Sequence, residues 1–131
     1  MSWSSRVAWQ EGMFLRAQHF QQQDRWTVEQ IRQALQYIRP YGWGFVQLQI
    51  SQDLLAAGRF ALTHAAGLFE DGTPFSMPGQ ADLPRPLEIP EQTRDMLIYL
   101  AVPVRQPGGM EMIVAGREDG RYRVAPFEAF D

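Results

Sequence analysis

Apolar residues in the N-terminal third of the chain recur at helical spacing. Phe20, Thr27, Ile31, Ala34, Leu35 and Ile38 are separated by intervals that place them on a single helical face. Residues 17 to 39 contain neither Gly nor Pro and are rich in Gln and Arg, both good helix formers. Gln21, Gln22, Arg25, Glu29 and Arg32 fall mainly off that face. Pro40 and Gly42 end the pattern. The spacing predicts a helix over 17–39, with Phe20 in the core and Met13 to Leu15 as a hydrophobic staple at its start.

Beyond Trp43 the period drops to two. In WGFVQLQI, Val46, Leu48 and Ile50 alternate with Gln47 and Gln49, as in a half-buried strand. SQDLLAAG reads as a turn or a short helical turn. RFALTHAAGLF alternates loosely, with Phe60, Leu62 and His64 of one parity. Asp71-Gly72 suits a two-residue hairpin of type I′, which needs positive φ at both central residues. Prolines at 74, 78, 84, 86 and 90 predict an extended ordered loop, neither helix nor central strand. MLIYLAVPV reads as a buried strand. PGG is a turn, MEMIVAGRE a further strand, EDG at 118–120 a second hairpin signal, and RYRVAPF the last strand. One helix followed by antiparallel strands predicts a mainly β fold, an antiparallel β-sandwich with a long N-terminal α-helix.

Composition narrows the function. The 131 residues suit one compact domain with a sizeable core. An apolar fraction of 45% argues against disorder. A net charge of -3 argues against nucleic acid as the main partner, because phosphate binding favours a basic surplus. The absence of cysteine removes disulfides, thiol nucleophiles and thiolate-bound metals. MSWSSRVAWQEG has no apolar stretch of the kind a secretory signal carries, and no run has the length of a membrane span. A soluble cytoplasmic protein is expected.

Little points to catalysis. His19 and His64 are the two histidines, each without a second ligand at metal spacing. Glu70 and Asp71 belong to a turn. No GxSxG, P-loop or GxGxxG occurs. No catalytic residue, cofactor, metal or small-molecule substrate is expected. Tyr41 and Trp43 leave open a standalone β-sandwich that binds a small ligand or a carbohydrate, against core or turn packing of the same rings.

The opening arm holds the densest signal. Trp3, Trp9, Met13, Phe14 and Leu15 lie within a few residues ahead of the helix. A helix start alone does not account for so many large apolar groups. Such clusters dock on another surface of the same chain or of a partner.

The stretch WQEGMFLRAQHFQQQDRW, residues 9–26, resembles the N-terminal signature of the TssK (ImpJ/VasE) family of type VI secretion baseplate proteins. That signature runs approximately W-x-E-G-M-F-L-R-P-Q-H-F-Q-Q-Q-x-R. The chain matches it at Trp9, Glu11 to Arg16, Gln18 to Gln23 and Arg25, and has Ala17 in place of the usual proline. PYGWGF (Pro40 to Phe45), FEDGT (with Glu70 where the family usually has proline) and MLIYLAVPV continue the likeness.

The resemblance implies a structural role. Family members are longer cytoplasmic trimers with an N-terminal β-sandwich shoulder, a helical neck and a C-terminal head. The shoulder is similar to that of siphophage receptor-binding proteins and attaches to the baseplate wedge through TssG and TssF. The head contacts the membrane complex through TssL and TssM. The chain is thus expected to be a single shoulder domain over 1–131, with an arm at 1–16, the helix at 17–39 and the sandwich at 43–131. Neck and head, and with them the membrane-complex contacts, are expected to be absent. Its expected place is the cytoplasm, at the baseplate docked on the inner membrane. The expected wedge-binding residues are Trp9, Met13, Phe14, Leu15, His19 and Phe20.

Overall fold

The computed structural model describes residues 4–106, the backbone of 112–113, and residues 121–123. The backbone forms two compact units, Met1–Met96 and Leu97–Asp131.

In the first unit, α1 spans Ala17–Ile38, close to the predicted range. Its orientation differs from expectation. The half-buried face is the polar one, formed by Gln22, Arg25, Trp26, Glu29, Arg32 and Gln33. The predicted core face, from Phe20 to Ile38, is exposed. Part of the polar face is satisfied within the helix. Arg32 grips Glu29 with two hydrogen bonds, Nη2 to Oε1 at 2.6 Å and Nε to Oε2 at 2.9 Å. Gln33 donates to the same carboxylate at 2.7 Å. Arg32 is held above its ordinary pKa, chiefly by the bond to Glu29. A partly exposed pair of this kind contributes about 0.5 kcal/mol.

A three-stranded antiparallel sheet follows, in the order β1 (Gly44–Ile50), β3 (Leu62–Leu68), β4 (Pro74–Met77). Between β1 and β3 lie the short helix α2 (Gln52–Ala56) and β2 (Arg59–Phe60), which pairs with β5 (Leu87–Glu88). Pro74 opens an edge strand, where a missing backbone donor costs least.

The β1 alternation is broken by a bulge. Phe45 pairs with Gly67 and Gln47 with Ala66, so Val46 is the extra residue and is 86% exposed. The bulge shifts parity by one. Phe45 and Leu48 therefore share a face, in place of the expected Val46, Leu48 and Ile50. That face continues across the sheet: Leu48 pairs with Ala65 and Ala65 with Met77, while Phe45 and Phe75 flank Gly67. Ala65 is 1% exposed. Ala61 and Ala65, of the parity opposite to Phe60, Leu62 and His64, are the buried residues of this segment. Small side chains on the central strand leave room for large ones on its neighbours.

The β3–β4 hairpin is not of type I′. Phe69 donates to Thr73, Gly72 donates to Phe69, and only Gly72 has positive φ, at 80°. This is a three-residue loop, a type I turn closed by a left-handed glycine. Asp71 Oδ1 accepts from the Thr73 backbone at 2.9 Å, which favours the longer loop.

In the second unit, the MLIYLAVPV segment forms no strand, and Leu97, Ile98, Tyr99 and Val104 are exposed. A strand apolar on both faces needs cover on both, and no strand pairs with this segment among the described residues. β6 (Met112–Ile113) and β7 (Tyr122–Arg123) pair in parallel, not as an antiparallel hairpin. The PGG and second EDG turns, and Val124 to Phe127 of the last strand, lie outside the described residues.

Candidate partner-docking surface

The arm runs back along α1. Gln22 Nε2 donates to the Ser5 carbonyl at 2.6 Å, and the Arg6 guanidinium lies 5.1 Å from the centre of the Trp26 ring. Val7 is buried. The chain then reverses: Met13 donates to the Gln10 carbonyl at 3.3 Å, and Gly12 has φ of 76°. Positive φ at the third residue of such a turn marks type II and favours glycine.

The reversal sets Trp9 against the first turn of the helix. Its ring lies 5.7 Å from that of Phe20 and 6.4 Å from that of His19. His19 also caps α1. Its Nδ1 accepts from the Arg16 backbone N–H at 3.1 Å, while the His19 backbone N–H donates to the Arg16 carbonyl at 3.0 Å. An imidazole thus fills the place that Glu or Gln takes in a capping box.

Three of the six predicted site residues, Trp9, His19 and Phe20, therefore form one cluster of rings. Phe20 is exposed on its outer side rather than sunk in the core. Met13 is half-buried and Leu15 exposed. Phe14 is 77% exposed, and the Arg16 guanidinium lies 5.7 Å from the centre of its ring. Phe14 therefore does not pack the helix onto the sheet.

The rest of the exposed apolar surface was not predicted. Val28, Ile31, Leu35 and Ile38 continue outward from Phe20 along α1, and Tyr41 and Trp43 stand exposed just beyond it. Tyr41 is 89% and Trp43 53% exposed, so neither ring of this pair is a core residue. The signal for the stripe was the same helical period that was read as the core face. Among the described residues no group of three or more His, Asp or Glu is placed to hold a metal ion. No helix among them is long and apolar enough to cross a membrane.

Residues 19–131 match the family of bacterial type VI secretion proteins that groups VC_A0110, EvfL, ImpJ and VasE. The chain belongs to this ImpJ/VasE family. It is 40% identical over 123 residues to the type VI secretion system baseplate component TssK1 of Pseudomonas aeruginosa PAO1, covering 94% of this chain and 28% of that protein. A crystal structure of TssK superposes with a TM-score of 0.79 at 34% identity, covering 91% of this chain and 27% of the other. A chain of a TssK-TssF-TssG baseplate subcomplex shares the fold with a TM-score of 0.69 at 24% identity, covering 92% and 40%. The chain thus spans little more than a quarter of the length of the curated relative.

Proposed function

We propose that the chain is the N-terminal shoulder of a type VI baseplate adaptor, a structural part and not an enzyme. In this reading its sheets complete an antiparallel β-sandwich like that of phage receptor-binding shoulders. It acts in the cytoplasm, at the baseplate on the inner membrane. Three copies assemble in the full-length adaptor, and the arm attaches to the TssF/TssG wedge. Contacts to TssL and TssM belong to a head beyond the matched region.

The observation that carries the docking role is Phe14. A large ring inside the family's signature stretch stands 77% exposed, with Trp9, His19 and Phe20 clustered behind it. A side chain that contributes so little to its own fold is free to serve as an anchor, and truncating such anchors costs about 2 kcal/mol or more of binding. Pull-down with purified TssF and TssG tests this. Phe14→Ala is expected to lose wedge binding while its stability stays within about 0.5 kcal/mol of the parent's, read as a nearly unchanged melting temperature. Retained wedge binding, or a clearly lowered melting temperature, would reject the anchor.

A further inference from the structure

The arm reaches the ring cluster without regular structure of its own. Residues 5–10 form neither helix nor strand. Their course is set by side chains along the first half of α1. Ser5 meets Gln22, Arg6 lies over Trp26, Val7 is buried, and Trp9 reaches Phe20 and His19. Where the Trp9 ring stands therefore depends on how the preceding residues are tied to the helix.

Gln22 makes the hydrogen bond in that tie, and its chemistry is specific. Its Nε2 donates to the Ser5 carbonyl at 2.6 Å, and its Oε1 accepts from Arg25 Nη2 at 2.7 Å. A backbone carbonyl only accepts and a guanidinium only donates. A side chain that bridges the two must donate at one end and accept at the other, as an amide does. Both bonds are partly buried, where an electrostatic contact is stronger than in water.

We propose that Gln22 is a positioning residue for the docking site. By bridging Ser5 and Arg25 it holds the arm on the course that sets Trp9 against Phe20, so the site is formed before its partner arrives. This rests on the reading that the arm docks on the wedge. A partner that binds only the ordered arm loses affinity in proportion to the chains in which the arm is not ordered.

Gln22→Glu isolates the bond to the arm. At neutral pH the carboxylate has nearly the shape of the amide and still accepts from Arg25, but it cannot donate to the Ser5 carbonyl. In NMR spectra of the full chain, the ring-current shift that Trp9 imposes on Phe20 is identified by its loss in Trp9→Leu. That shift is expected to shrink in Gln22→Glu. Binding to purified TssF and TssG is expected to weaken about three- to tenfold, one hydrogen bond's worth of arm ordering, with the melting temperature close to the parent's. Gln30→Glu puts the same charge at an exposed position of α1 and is expected to match the parent in shift and in binding. An unchanged ring-current shift, a clearly lowered melting temperature, or an equal loss of binding in Gln30→Glu would overturn the positioning role. So would full wedge binding by Gln22→Glu where Phe14→Ala loses it. Full binding by both variants would instead reject the docking reading, and the positioning role with it.

Discussion

Gly72 shows how one residue holds two elements in place. It closes the β3–β4 loop at φ of 80°, a conformation that costs other residues about 1–2 kcal/mol. It also faces α1: a Cβ built on it would sit 3.0 Å from Arg32 Cγ. The Asp71 carboxylate meanwhile helps to hold Arg32 in its charged form. Gly72→Val is expected to destabilise by on the order of 1–2 kcal/mol, read as a lowered melting temperature. An unchanged melting temperature would mean that the loop readjusts. The need for glycine was legible in the sequence, because Asp-Gly between two apolar runs marks a hairpin. The loop length was not legible, because it depends on where Asp71 places its side chain. Nor did the sequence show that Arg32 would pack here, since that contact joins residues forty positions apart.

Gly67 is the corresponding point at the scale of elements. It sits in the central strand between Phe45 and Phe75, whose rings meet edge to face at 5.6 Å. A Cβ at Gly67 would collide with the Gly44 carbonyl oxygen and lie 3.0 Å from Phe45 Cα. Both are backbone atoms of β1, so relief requires the strands to part. Gly67→Ala is expected to cost about 1–3 kcal/mol, the usual range for overpacking. Chemical denaturation would measure it, and a cost near zero would mean that the β1 bulge absorbs the methyl group. The bulge also explains what the pattern in β1 concealed. Strict alternation assigned Val46 to the inner face, but an inserted residue reverses parity at that point and leaves no mark in composition. In α1 the period predicted the helix almost to the residue. Period alone does not say whether an apolar face covers its own sheet or another molecule. Here the exposure of Phe20, Ile31, Leu35 and Ile38 shows that the face does not cover its own sheet. The MLIYLAVPV run carried still less information, because a continuous apolar segment has no face.

Among the described residues the core is thin for the composition. Among the described residues the buried apolar side chains are Val7, Ala61, Ala65 and Met77, and no large side chain is fully buried. A fully buried Leu, Phe or Met contributes about 1.5–3 kcal/mol, and here most such side chains remain half-buried or exposed. Stability should therefore depend strongly on what covers the exposed positions. A partner that binds only the folded chain stabilises it by mass action, about 2.7 kcal/mol at about a hundred times its dissociation constant. For a chain of this size that corresponds to a rise of about 10 °C in melting temperature. Thermal unfolding with and without saturating TssF/TssG measures this directly. The parent chain is expected to show the rise and Phe14→Ala to lack it, with both melting alike when alone. Equal rises in the two chains would place the wedge contact away from Phe14. No rise in either would mean that the wedge does not recognise the folded shoulder, and the docking role would fail at the level of the whole assembly.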